Sequence, residues 1–314
     1  MSTKTNAFLN RGLKLTHLQL IAALSRTGGM QMAADQLSIA QPAASRLANE
    51  IERIIGQKIH RRAGKGIELT AAGHALAKRA IRVLREIEDA QNDISEIGLG
   101  RVGNVRIGSV TGPAIEYILP VLREARLAMP NVTISVEVAT SDVLGEHLAK
   151  GEVDFVLGRL PVGHNATLFD EQPIALEPVS FITRKNHALA GVTNVTPEQL
   201  LEFDWVLPFK GTILHNAIEQ ALRFQGLPFP TQSYNTSSFL LTLALVRQSN
   251  AIAPIATSVT SVFAASEDEG SLRVIETDFE INVEIFSLLK LANRVFTPST
   301  QAVFEMVQDI TKAP

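Results

Sequence analysis

The chain has 314 residues, 46% of them hydrophobic, with 29 Lys and Arg against 32 Asp and Glu and no Cys. That length allows two to three domains with substantial cores, and the lack of Cys excludes a disulfide scaffold, a thiolate metal site and a Cys nucleophile. The polar start, Met1 to Asn6, offers no signal-peptide core, and apolar stretches such as Leu240 to Val246 fall far short of the ~18–20 residues that span a bilayer, so a soluble, cytoplasmic protein without membrane contact is expected. The charge is uneven. Residues 1–90 carry 14 basic and 7 acidic side chains, a balance of +7, which leaves 15 basic and 25 acidic, or −10, for the rest. A basic head on an acidic body points to a polyanionic partner at one end only.

Residues 1–14 are unpatterned. Thr16 and Gln19 have capping-box spacing, with Leu15 and Leu20 at the staple positions, so a first helix is expected from about His17 to Arg26. Thr27-Gly28-Gly29 breaks it, and a short helix over Met30 to Leu37 follows. A third helix runs from Gln41 to about Ile55, with Pro42 in its first turn, where proline is favoured. Two helices joined by a tight turn form a helix-turn-helix unit.

The third helix has two faces. Ala44, Leu47, Ala48, Ile51 and Ile55 recur at helical spacing and should be buried. Pro42, Ser45, Arg46, Asn49 and Arg53 share the other side, with Gln41 at the tip. Arg suits guanine, Asn and Gln suit adenine, and Ser reaches base or phosphate, so this face suits a major groove. The run from His60 to Leu69 predicts a β-hairpin wing whose Arg61, Arg62 and Lys65 can reach a phosphate backbone.

From Thr70 a long helix is expected to about Gly98. Its apolar residues Leu76, Ala80, Val83, Ile87, Ala90, Ile94 and Ile97 alternate at heptad spacing, the pattern of a helix paired with its copy in a dimer. About 28 residues at ~1.5 Å each give a rod of roughly 40 Å. After a linker near Gly98 to Gly103, strands at Val105–Val110, Val132–Val138 and Val153–Gly158 alternate with helices at Pro113–Met129 and Asp142–Lys150. The alternation resumes with strands at Val179–Thr183, Trp205–Pro208, Ala251–Ile255 and Val283–Leu289, and helices at Thr212–Phe224, Phe239–Arg247 and Ser299–Ile310. This order predicts a mainly parallel α/β sheet.

The segment Ala33-Ala34-Asp35-Gln36-Leu37-Ser38-Ile39-Ala40-Gln41-Pro42-Ala43-Ala44-Ser45-Arg46, followed after the wing by Leu69-Thr70-Ala71-Ala72-Gly73, resembles the LysR-type transcriptional regulators. The resemblance is strong over about 16–100 and looser beyond. It implies a winged helix-turn-helix over 1–69, a dimerisation linker helix over 70–98, and an effector domain over 99–314 shaped like a periplasmic solute-binding protein. The two α/β lobes would comprise about 104–160 with 270–314, and 161–269, with crossings near Leu160-Pro161 and Glu267–Gly270. Promoter DNA, a small-molecule effector and further copies of the chain, as dimer through 70–97 and as tetramer, are the implied partners, with RNA polymerase a further candidate. Two positions depart from the family pattern. Ala40 stands where Ser or Thr is common, which removes an N-cap hydroxyl, and His60 stands where Phe is usual, most simply as a packing substitute.

In open α/β sheets ligands bind beyond the carboxyl ends of strands, near helix starts. Thr111 and Gly112, Thr140 and Ser141, and Thr236, Ser237 and Ser238 occupy such positions, and Arg159 and Lys210 add cations from either lobe. A sugar, a sugar acid, or an aromatic or aliphatic carboxylate fits this set, and part of the second half is similar to a subgroup controlling sugar-uptake genes. The alternative is an α/β metabolite-binding protein or enzyme with an accessory nucleic-acid-binding head. Against an enzyme, there is no P-loop, Rossmann or G-x-S-x-G motif, and the seven His lack metal spacing. No cofactor, metal or catalytic residue is expected.

Overall fold

The computed structural model describes residues 7–63, 66–99, 103–160, 166–263 and 272–312. The chain forms two compact units, one built mainly on residues up to Asn104 and the other mainly on Val105 onward.

In the first unit a single turn, α1 (Ala7–Asn10), precedes α2 (Leu15–Thr27), α3 (Met30–Gln36) and α4 (Gln41–Ile55). Helix α2 starts a residue or two ahead of the expected His17, because the Lys14 N–H donates to His17 Nδ1 at 3.0 Å and no Thr16 cap forms. Gly28 ends α2 at φ 63°, its N–H returning to the Leu24 carbonyl, and Ser38 takes φ 54° in the turn between α3 and α4. Leu20, Ile21, Leu24, Ala33, Ala34, Ala44, Ala48 and Ile51 form one buried cluster. The small alanines let three helices approach closely, and Ile59, Leu69, Ala77 and Ala80 close the cluster from the wing and the next helix. On α4, Leu47 and Ile55 are only partly buried, while Ile54 and Glu52 are buried.

The wing is an antiparallel hairpin of β1 (His60–Ala63) and β2 (Gly66–Leu69). The Ile67 N–H donates to the Gly28 carbonyl at 3.2 Å, which fastens β2 to the turn between α2 and α3. Helix α5 (Ala71–Leu99) follows. Thr70 explains the Leu-Thr-x-x-Gly motif: its Oγ1 accepts from the Gly73 N–H at 3.1 Å and donates to the Lys58 carbonyl at 2.6 Å. A Cβ at position 73 would lie 2.0 Å from the Ile59 carbonyl oxygen, so only glycine permits that approach. The heptad face divides. Ala80 is buried and Leu76 partly buried in the unit's own core, whereas Val83, Ile87 and Ile94 are exposed.

The second unit opens with β3 (Asn104–Ser109), then a continuous helical segment made of α6 (Thr111–Pro113), one π-type turn (Ala114–Ile118) and α7 (Leu119–Ala128). Next come β4 (Thr133–Val138), α8 (Ser141–Lys150), β5 (Phe155–Gly158), β6 (Phe169–Arg184) and the single turn α9 (Pro197–Leu200). The order continues with β7 (Trp205–Leu207), α10 (Ile213–Phe224), β8 (Ser233–Asn235), α11 (Phe239–Gln248), β9 (Ala253–Ala256) and α12 (Thr257–Phe263), then β10 (Leu272–Ile275), β11 (Ile281–Leu291) and α13 (Pro298–Lys312).

The large sheet runs β10-β6-β11-β5-β3-β4, with β9 also pairing β6. It is mixed, which corrects the mainly parallel expectation. Strand β3 is parallel to β5, but β6 is antiparallel to β9, β10 and β11, and β11 is antiparallel to β5. The cause is that β6 and β11 are long strands that pass through both lobes and return, which reverses direction without a crossover helix.

Of the expected lobe crossings, Pro161 and residues 267–270 lie outside the described residues. Among the described ones, the first half of β6 pairs only with β11, and its second half also pairs β9 and β10. The register of β11 against β6 shifts between Val283 and Phe286. The pairing of β6 therefore changes just after Glu177, and that of β11 around Glu284. Trp205 packs edge-to-face on Phe181 in the second lobe's core and donates its Nε1–H to the Leu200 carbonyl at 3.0 Å. In the first lobe Phe155 packs edge-to-face on Phe304.

Candidate functional site

Helix α4 presents Gln41, Pro42, Arg46, Asn49 and Arg53 as exposed residues and Ser45 as a half-buried one. Their spacing of three and four puts Pro42, Ser45, Arg46, Asn49 and Arg53 along one side of the helix, opposite Ala44, Ala48 and Ile51. Among the described residues neither Arg46 nor Arg53 has a hydrogen-bonding or ionic partner. Ala40 is the N-cap in extended conformation, with no side-chain hydrogen bond.

In the wing, Arg62 is exposed and without a partner among the described residues. Arg61 instead holds Glu68 across the hairpin, through Nε at 3.0 Å and Nη2 at 2.9 Å. Both ends of that pair are exposed, so it contributes little to stability. Lys65 lies outside the described residues. His60 points inward: it is 22% exposed, with Nδ1 3.3 Å from Glu52 Oε1.

Glu52 is the anchoring residue that pattern reading missed. It is 8% exposed and ties α4 to the wing, its carboxylate accepting from the Ile59 N–H at 3.2 Å and from Lys58 Nζ at 2.6 Å. Burial alone would raise its pKa. The Lys58 hydrogen bond, the Ile59 N–H and the charges of Lys58 and His60 outweigh burial and hold it below the usual carboxylate value. His17 Nε2 lies 3.1 Å from Glu50 Oε2, a second link that braces α4 against α2.

In the second unit a cavity of about 770 Å³ opens between the lobes. Its size falls within the range of ligand sites, roughly 300–1,000 Å³. The structure brings Thr111, Thr140, Ser141, Arg159, Lys210, Thr236 and Ser237 to its wall. Two expected members are not there. Gly112 is buried behind Glu177, and Ser238 caps α11, its Oγ accepting from the Leu241 N–H at 3.3 Å. The roles inside the wall differ too. Ser141 Oγ accepts from the Arg159 N–H at 3.1 Å, and Thr236 Oγ1 accepts from the Ser238 N–H at 3.0 Å. Arg159 is paired with Glu177, Nη2 to Oε2 at 2.8 Å, and its Nε donates to the Glu284 carbonyl at 2.8 Å. Asp142, Glu177, Phe209, Phe239 and Thr242 also line the cavity. Strand-end reasoning did not reach Glu177, Phe239 or Thr242.

A basic, exposed helix-turn-helix face and a separate α/β unit with an interlobe cavity define a DNA-binding regulator with a ligand module. The family models agree. Residues 15–74 match the bacterial regulatory helix-turn-helix protein, lysR family, and residues 99–311 match the LysR substrate binding domain. The chain belongs to the LysR family of DNA-binding transcriptional regulators, which bind promoter DNA and small-molecule effectors and form oligomers. It is similar to the transcriptional regulator GbpR of Azospirillum brasilense, 32% identical over 297 residues, covering 94% of this chain and 86% of the relative. It is also similar to GbpR of Rhizobium radiobacter, 35% identical over 255 residues, covering 81% and 84%. Full-length CbnR, solved in complex with its target DNA, shares the fold with a TM-score of 0.66 at 19% identity over 95% of this chain and 100% of that one. No helix among the described residues is long and apolar enough to cross a membrane.

Proposed function

We propose that α4 and the wing of this regulator read promoter DNA, and that an effector bound in the interlobe cavity adjusts that contact. The observation that carries the reading is the exposed row Pro42, Arg46, Asn49 and Arg53 on α4, with both guanidiniums free among the described residues. Gln41 and Ser45 extend the row, and Arg61, Arg62 and Lys65 supply phosphate contacts from the wing. Thr111, Thr140, Ser141, Arg159, Lys210, Thr236 and Ser237 contact the effector. The division near residues 70 and 99, dimerisation through 70–97, tetramer formation and a cytoplasmic location belong to the same proposal. So does the absence of catalysis: the bound metabolite is sensed and not converted. An effector shifts an interlobe equilibrium only by the difference between its affinities for the two states, and linkage makes DNA and effector affinities mutually dependent.

Gel shifts on a cognate promoter across a salt series test the DNA assignment. Arg46→Ala should cost about 1–3 kcal/mol and relax base preference at one position. Arg62→Ala should weaken binding on every sequence and reduce the salt slope by about one. Unchanged affinity in both variants would remove α4 and the wing as the reading surface.

A further inference from the structure

The cavity wall contains one buried ion pair, and its position bears on what the cavity takes. Arg159, 7% exposed at the end of β5, meets Glu177 on β6 at 2.8 Å. The other Glu177 oxygen, Oε1, lies so close over Gly112 that a Cβ there would be 2.1 Å away. Gly112 sits in the first turn of the helical segment that begins at Thr111, and the first N–H groups of a helix have no partner within it. A helix start and a guanidinium together form the place where a ligand's carboxylate would dock. Here the chain's own carboxylate already stands in that place.

We infer that Glu177 fills the cavity's anion position from within, and that the effector is a neutral polyhydroxylated compound of monosaccharide size. The inference rests on the cavity being the effector site. A second carboxylate beside Glu177 meets like charge in a partly buried setting, and the only buried guanidinium among the described residues of the wall is already engaged. The remaining polar groups suit hydroxyls. Among the described residues the side chains of Thr111, Thr140 and Ser237 make no hydrogen bond, and each hydroxyl both donates and accepts. Asp142 and Lys210 are exposed charges of opposite sign and add no net preference. Phe209, 53% exposed, lines the cavity and adds an aromatic side chain suited to the carbon skeleton of a sugar. Arg159 also holds the Glu284 carbonyl on β11, so a ligand touching this pair acts where both long strands pass between lobes.

The test is calorimetric titration of the full chain with D-glucose, D-galactose, D-xylose and L-arabinose, set against D-glucuronate and D-galacturonate. At least one neutral sugar should bind, and tenfold or more tighter than a uronate of the same ring. Glu177→Gln keeps the shape and releases Arg159, so uronate affinity should rise at least tenfold, with Trp205 emission reporting that the unit still folds. A uronate bound equally well or better by the original chain, no gain in E177Q, or no binding by any neutral sugar overturns the inference. Thr140→Val with Ser237→Ala separates the two levels. A preferred uronate lost in that double variant keeps the cavity as effector site and defeats only the neutral-ligand inference. A neutral sugar bound undiminished by it removes the cavity assignment, and the inference with it.

Discussion

Glu52→Ala should loosen the wing without unfolding α4. The carboxylate is the partner of the fully buried Ile59 N–H, at 3.2 Å, and leaving a buried donor unpaired costs about 1–3 kcal/mol. Lys58 is 77% exposed, so its 2.6 Å contact adds at most about 1 kcal/mol. The sum, about 1–4 kcal/mol, corresponds to roughly 5- to 1,000-fold in the opening equilibrium of the hairpin base. Hydrogen exchange at the Ile59 amide reads that opening directly, and Glu52→Gln, which keeps an acceptor, should show a smaller effect.

The same anchor predicts a pH response. Because the folded-state pKa lies below the ordinary value of 4.5, the anchor's contribution is complete above that value and is lost as pH falls through the lower folded value. Between pH 5 and 8 Glu52 should therefore contribute no change in wing protection. Ile59 protection in Glu52→Ala equal to that of the original chain would refute the anchoring role.

Three further substitutions follow from local geometry. Ala40→Ser restores a hydroxyl at an N-cap already in extended conformation (φ −70°, ψ 141°) and should raise the stability of the first unit by about 0.5–2 kcal/mol in calorimetry; no gain would mean that the hydroxyl does not reach the first-turn N–H groups. Ile87→Asp places a charge on the exposed apolar face of α5, and sedimentation should show the dimer dissociating; a persistent dimer locates the seam elsewhere. Gly112→Ala would set a Cβ 2.1 Å from Glu177 Oε1 and 2.9 Å from the Ala256 Cβ, so it should lower the unfolding midpoint seen by Trp205, and an unchanged midpoint would show that Glu177 moves aside freely.

The first unit was legible because its signals are local. Helical spacing, the glycine break after α2 and the proline in the first turn of α4 act over a few residues, and they locate both faces of α4. The errors arise where one pattern serves two partners. Leu76 and Ala80 share the heptad spacing of Val83 and Ile87, yet the first two pack inward and the latter two stay exposed. Spacing records that a residue is apolar on one face, not which neighbour that face meets. Glu52 was illegible for a related reason: a carboxylate on a surface helix looks solvated until the Ile59 N–H is seen to fall beside it.

The cavity divides along the same line. Thr111, Thr140, Arg159 and Ser237 could be placed because strand ends and helix starts converge in this sheet class whatever the details. Strand β6 could not be placed in full, since Pro173 and Pro178 lie inside it and proline argues against an interior strand. With the strand cut short, Glu177 had no assigned neighbour, although its partners Arg159 and Gly112 were both singled out. Gly112 was expected at the ligand because it stands at a helix start beyond a strand end, but the carboxylate that comes close to it belongs to the chain itself. An arginine and a glycine-containing helix start, taken alone, describe an anion site; one internal carboxylate from a distant strand turns the same two features into a filled position and shifts the remaining recognition to hydroxyls.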